Sequence, residues 1–463
     1  MLAGESPAAL AAGAGHPPGP RGLPYFGCLG GLLRDPMEFW TRIALEHGGI
    51  ARVPIRRKHV YLVSDPGLLY DLLVTNRKKY RKNTRYKAAV DTFGEGLLLT
   101  EGSAWVRERK ITQPAFKSDY IERHVPAMAA LVDRFLERWQ PLAEHQTVRD
   151  VSEEFLCLSQ TLAGHYLMGP GFDEIEAKFR AAAVAIKDNW PIPPRSVIAT
   201  LLPKSKARER RLDAAIAAIE TLVFDYLAAQ RKRDFENCGV LSLLVSASRE
   251  QGDEFDDRLL RDQLLTLFFA GHETSAMSLT WLHHWLWKKP DVRRKLQAEV
   301  REVLGERQPA AADLARLEYT ERVINETLRL DSPIHSLSRV ALEDDSLGGY
   351  RIPRGSTIYV SLAAVHRLPG LWPEPREFDP DRFLPERCSD RPRFAFIPFA
   401  AGHRNCIGGA MAMAELKLAV AQLARRYVLD GVPGHRVERW AGTTMCPRYG
   451  MRMVIRDARA SAA

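Results

Sequence analysis

Cysteine is scarce in this chain. Its 463 residues hold six: Cys28, Cys157, Cys238, Cys388, Cys406 and Cys446. They lie far apart, with no CxxC pair and no disulfide-like spacing, which excludes a disulfide framework and fits a reducing compartment. Long apolar runs are absent too. No stretch reaches about 18 consecutive apolar residues, so no membrane span or anchor is expected. The opening, MLAGESPAALAAGAGHPPGP, lacks the basic and apolar regions of a signal peptide. A soluble, cytoplasmic protein is the expectation. Internal repeats, nucleic-acid recognition motifs and dense basic blocks are also missing. The net charge of +9, from 66 basic and 57 acidic residues, therefore reads as a mildly basic solvated surface or as a match for an acidic protein partner.

What is present has a globular balance: 46% hydrophobic and 27% charged residues. Residues 1–16 read as a flexible leader, followed by a Pro-stiffened segment, HPPGPRGLP. ARVPI (51–55) and HVYLVSD (59–65) are short, β-branched and separated by RRK, which predicts a hairpin. From about 66 to 330 apolar residues recur three and four apart, which predicts helices. The Pro-rich stretch 190–203 breaks that pattern and predicts a loop. Strand is expected again at YRIPRGSTIYVSLAAVHR (350–367) and in the tail from 443. The coarse reading is a mainly α body with a small β region.

One cysteine has unusual surroundings. Cys406 follows a Gly-His-Arg-Asn turn and precedes IGGAMAMAELKLAVAQLARRY, a credible helix of about five turns. Unpaired N–H groups and the dipole at a helix start favour thiolate over thiol. The small residues Gly408, Gly409, Ala410, Ala412 and Ala414 would let a flat body lie close to the backbone. A thiolate serves iron ligation, nucleophilic attack or redox exchange. Redox exchange wants a second cysteine nearby, and a nucleophile wants an orienting histidine, whereas His403 sits in the turn itself. Ligation of haem iron fits the context best.

The run Phe399-x-x-Gly402-x-Arg404-x-Cys406-x-Gly408 resembles the haem-binding signature of the cytochrome P450 superfamily. Ala400 departs from it, since the family usually has a second glycine there, and a slightly altered loop is expected. Three further motifs follow the family's order. RDQLLTLFFAGHETSAMSLTWLHHWLWKK (261–289) reads as one buried helix ended by Pro290, with Ala270-Gly271-His272-Glu273-Thr274 at its centre. A Thr hydroxyl can bond back to a carbonyl, and a local distortion is expected there. Glu273 and Thr274 resemble the family's acid–alcohol pair for proton delivery. His272, His283 and His284 read as structural. Glu326 and Arg329 resemble ExxR, with Arg382 as third member of the cluster. Trp105-x-x-x-Arg109 resembles the helix that faces the haem propionates, joined by Arg339 and Arg404.

The resemblance implies a single triangular, mainly α domain with a small β region over 17–463. It implies haem b (iron protoporphyrin IX) bound by Trp105, Arg109, Ala270, Arg339, Phe399, Arg404, Cys406 and Gly408, with Cys406 as the metal ligand. It implies a monooxygenase that uses O2 and hydroxylates or epoxidises a small hydrophobic substrate, with Glu273 and Thr274 catalytic. No reductase portion follows the haem portion, so electrons are expected from a ferredoxin or flavodoxin plus its reductase. Lys110, Arg404 and Arg425 are candidates for the basic docking face. Phe93, Leu97 and Leu98 are candidates to line an apolar pocket for a lipid, terpenoid or polyketide-like molecule. Arg85, Tyr86 and Lys87 would meet a carboxylate at its mouth or simply be solvated. A peroxygenase, an isomerase or a non-enzymatic haem sensor are the rival readings, and the Glu273-Thr274 pair argues against the first two.

Overall fold

The computed structural model describes residues 15–83, 89, 93–190, 205–250 and 256–458. Helices dominate. In chain order the longer ones are α1 (Pro36–His47), α2 (Gly102–Thr112), α3 (Ser118–Glu137), α4 (Val151–Met168), α5 (Glu176–Asn189), α6 (Lys206–Arg231), α7 (Val240–Glu250), α8 (Asp257–Lys288), α9 (Pro290–Leu304), α10 (Glu318–Leu330) and α11 (Gly409–Arg426). The strands are β1 (Ile50–Ile55), β2 (Lys58–Val63), β3 (Tyr80–Lys82), β4 (Val148–Asp150), β5 (Ser336–Ala341), β6 (Asp345–Leu347), β7 (Tyr350–Ile352), β8 (Thr357–Ser361), β9 (Tyr427–Gly431), β10 (Arg439–Ala441), β11 (Met445–Pro447) and β12 (Arg452–Asp457). The mainly α architecture with a small β region is therefore as expected.

The predicted hairpin is β1–β2, which continues into a five-stranded sheet of order β1-β2-β8-β5-β3. Its side chains alternate. Ile50, Tyr61 and Val63 join one apolar cluster, while Ala51, Val53 and Leu62 join another with Phe39 and Trp40 of α1. That is the period of two that a sheet buried on both faces requires. A third and much larger cluster runs through the helices, from Ile111 to Ile455. Strands β4, β12 and β9 form a second sheet, and β10–β11 and β6–β7 are separate hairpins.

Two expectations need correction. Strand does not continue to 367: β8 ends at Ser361, whose side chain accepts from Ala364 N at 3.2 Å and starts a one-turn helix over Leu362–Val365. A Ser at that position competes for the backbone as an N-cap. The central helix α8 is also regular throughout its 32 residues, with no break at 270–274. Asp256 caps its start by accepting from Leu259 N at 2.7 Å, and Pro290 follows its end. The Pro-rich stretch 190–203, apart from Trp190, lies outside the described residues, as do Arg85, Tyr86 and Lys87.

Candidate active site

The cysteine loop is built on two unusual backbone positions. Cys406 N donates to Phe399 O at 2.9 Å, which closes the loop. Gly402 has φ +72° and packs so tightly that a Cβ there would lie 2.2 Å from Leu73 O. Ala400 has φ +58°. Ala400 thus sits in the left-handed conformation that a glycine takes freely, a strain worth about 1–2 kcal/mol for a residue with a Cβ.

Cys406 lies two residues before the N-cap of α11, Gly408. Its surroundings are deep, yet it is open to solvent. Burial pushes the thiol up, and the Gly408 N–H and Arg109 pull it only part of the way back. Desolvation thus opposes the donors at the helix start. Phe399 lies over the start of α11, 3.4 Å from where a Cβ on Gly409 would sit.

Trp105 and Arg109 lie one turn apart on α2. Trp105 is buried, with the Arg404 guanidinium 4.1 Å from its ring centre and His403 packed edge-on at 4.4 Å. Arg109 grips the cysteine loop, donating to Asn405 O at 3.0 Å and Asn405 Oδ1 at 3.2 Å. Arg404 donates to Thr100 O at 2.8 Å and Glu101 Oε2 at 2.9 Å. Its other nitrogen, Nη1, is buried with no hydrogen-bond partner. Arg339, on β5, stands directly opposite Lys82 of β3 in the register and donates to Ser338 O at 2.9 Å.

Lys82 is a residue that sequence reasoning missed. Its Nζ donates to Leu98 O. Burial first, then the neighbouring Arg404, bring it down to about 7, against the opposing pull of Glu101. Only the β3–β5 pairing reveals it, since three residues of strand carry no motif. Lys82 and Arg404 therefore share one carboxylate, Glu101, with the Arg339 charge acting on both cations. Such an excess of cations, with a buried guanidinium N–H left over, suits a further dianionic group.

Across the site lies the middle of α8. This helix is buried along most of its length, yet Ala270 is exposed and a Cβ at Gly271 would meet nothing within 4 Å. Thr274 Oγ1 donates to Ala270 O at 2.9 Å and lies 3.1 Å from Gly271 O. Glu273 accepts from Thr444 Oγ1 at 2.9 Å, and burial raises its carboxyl above the usual range. His272 is buried and bonded through Nδ1 to Phe268 O at 2.7 Å, and His283 bonds Leu279 O at 2.8 Å. The next residue, Ser275, donates to Glu415 Oε2 at 3.0 Å, which ties α8 to α11. Open space at the middle of an otherwise buried helix, an exposed cysteine sulfur just before α11 and surplus cations beside that cysteine's loop fit a haem.

The pocket side has an aromatic stack. Phe93 lies 5.0 Å from Trp190 at 13° and 4.7 Å from Phe269 at 36°. The segment after Phe93 is fixed to α8: Glu95 N donates to Asp262 Oδ2 at 2.8 Å, and Leu97 N to Gln263 Oε1 at 3.3 Å. Leu97 is buried and Leu98 is exposed.

The remaining predicted residues hold the scaffold. Arg329 and Glu326 form a fully buried two-pronged pair, Nε to Oε2 and Nη2 to Oε1, both at 2.7 Å. Arg382 Nε adds a bond to Oε1 at 3.2 Å. Arg329 also donates to His366 O, Pro375 O and Glu377 O, which fixes a coil with no ladder of its own. Arg425 is not part of a basic face around the cysteine. It sits at the far end of α11 and donates to Gly305 O and Arg307 O beyond the end of α9. Arg404 is likewise turned inward, whereas Lys110 is exposed.

Among the described residues no helix is long and apolar enough to cross a membrane. The cytochrome P450 family model matches residues 17–448. Cyclooctatin synthase of Streptomyces melanosporofaciens is 33% identical over 437 residues, covering 91% of this chain and 92% of that protein. Cyclooctat-9-en-7-ol 5-monooxygenase of the same organism is 31% identical, over 90% of each chain. Pentalenene oxygenase of Streptomyces avermitilis is 30% identical over 88% of this chain and 90% of its own. The crystal structure of the cytochrome P450DA haem domain superposes with a TM-score of 0.82 at 24% identity, covering 96% of this chain and 97% of that one, which shows the fold. The chain belongs to the cytochrome P450 family: it is a haem-thiolate monooxygenase that acts on hydrophobic organic substrates with O2 and with electrons from redox partners.

Proposed function

We propose that this enzyme hydroxylates or epoxidises a polycyclic terpenoid in the cytoplasm, with haem b as its cofactor. The observation that carries the substrate class is the Phe93–Trp190–Phe269 stack beside the open middle of α8. Flat aromatic faces and an alanine offer a rigid hydrocarbon large contact area and no hydrogen-bond partner. The names of the Streptomyces relatives support the same class.

Cys406 would be the iron ligand, with Phe399 and Gly408 shaping its loop. Trp105, Arg109, Arg339, Arg404 and Lys82 would hold the propionates, and Ala270 would leave room for the ring. The haem, when bound, supplies the metal that activates dioxygen. The Thr274 hydroxyl, bonded back to its own helix, would present its oxygen to a water or a proton on the pocket side. Glu273, buried and raised in proton affinity above an ordinary carboxylate, would take up a proton and pass it to that side. Exclusion of bulk water falls to the aromatic stack. Electrons would come from an acidic ferredoxin or flavodoxin with its reductase, to which exposed Lys110 on α2 offers a cation.

The test is spectroscopic. The ferric protein is titrated with pentalenene and, in parallel, with a long-chain fatty acid of similar carbon number. A low-spin to high-spin shift at micromolar pentalenene, followed by an oxygenated product with a surrogate ferredoxin pair, is the expected result. A shift with the fatty acid alone would overturn the substrate class.

A further inference from the structure

The acid of α8 has a partner from near the end of the chain. Thr444 lies in the turn between β10 and β11 and is itself buried, 4% exposed. Its hydroxyl donates to Glu273 Oε1 at 2.9 Å. The hairpin is pinned to the same helix at two more points. Trp281 Nε1 donates to Met445 O at 2.9 Å. Arg439 donates to Asp331 Oδ2 at 3.0 Å, and that oxygen also accepts from Trp285 Nε1 at 2.8 Å. Glu273, Trp281 and Trp285 are spaced by eight and four residues, so they follow one stripe of the helix. From the other side, Met445 N donates to Pro333 O at 2.8 Å. A hairpin held at this many points has little freedom to withdraw its threonine.

We propose that Thr444 is a positioning residue for Glu273: its hydroxyl fixes the acid in one orientation for proton handling and makes the β10–β11 hairpin a working part of the active site. This rests on the reading of Glu273 as the group that handles protons. The other charged group that bears on the carboxyl is Lys187 of α5, whose positive charge favours the ionised form; the adjacent His272, held down to about 4 by burial, is neutral and adds no charge. The threonine donor also favours the ionised form, so its removal shifts the balance toward the neutral acid.

The experiment uses the ferric holoenzyme. Infrared difference spectra against E273Q isolate the Glu273 carboxyl band, which is titrated in wild type, T444V and T444S. Loss of one neutral donor should raise the proton affinity about three- to tenfold in T444V and move the C=O stretch to higher frequency, while T444S titrates as wild type. The pH profile of dioxygen consumption by the substrate-free enzyme, driven by a surrogate ferredoxin and reductase, should move in the same direction. If T444V fails to fold, T444A takes its place. A carboxyl band and profile unchanged in T444V, beside a profile altered in E273Q, overturn the proposal alone. A profile unchanged in E273Q overturns the reading of Glu273 and the proposal with it.

Discussion

Glu415 offers a direct test of how burial sets charge in this core. It lies on α11, 6% exposed, with Oε2 accepting from Ser275 and Oε1 lacking a partner. Burial raises its carboxyl from 4.5 to about 7. In the unfolded chain the group titrates near its ordinary value, so below that value both states hold the proton and no difference arises. Between about 4.5 and 7 the native state keeps a proton that the unfolded state has released. Stability therefore falls as pH rises through that window and levels off above it. At about 1.4 kcal/mol per pH unit the loss is about 3 kcal/mol, a large share of the ~5–15 kcal/mol typical of a folded domain. Glu415→Gln removes the proton from the balance while keeping the shape. Guanidinium unfolding of the holoenzyme, followed by tryptophan fluorescence at pH 5 and pH 8, should show the variant gaining on wild type by about 3 kcal/mol across the interval. Parallel curves for the two proteins would refute the reasoning, because they would mean that the native carboxyl is ionised throughout.

The other expectations concern the scaffold and the cofactor. Glu326→Ala leaves Arg329 and Arg382 buried without their carboxylate, and should cost about 3–5 kcal/mol in denaturant unfolding and sharply lower the yield of folded holoprotein. Ala400→Gly relieves a left-handed backbone and should stabilise by about 0.5–1 kcal/mol, read as a raised melting temperature with an unchanged absorption spectrum. Cys406→Ser should abolish the red-shifted Soret band of the reduced carbon monoxide adduct, with far-UV circular dichroism retained. Lys82→Ala removes one cation opposite Arg339 and should speed haem transfer to apomyoglobin about tenfold, whereas an equal rate would remove Lys82 from the propionate contacts.

The residues near Cys406 were legible because their chemistry is local. A loop of eight residues that must hold a sulfur under a flat ring needs particular residues at fixed spacing, and that pattern survives in the linear chain. The helical body was legible for a similar reason, since a period of 3.6 repeats within each segment. Even the strand that ran too far, at 362–365, failed only by one turn, where Ser361 chose to cap a helix. Long-range pairings were not legible. Lys82 meets Arg339 only because β3 and β5 align, and Thr444 meets Glu273 only because a hairpin folds back across 171 residues of chain. Arg425 looked like a neighbour of the cysteine in sequence, yet a helix of 18 residues carries it to the opposite end. The burial of the Cys406 sulfur was not legible either. A helix start can be read from residue order, but desolvation depends on everything that surrounds the atom, and only the folded chain decides that.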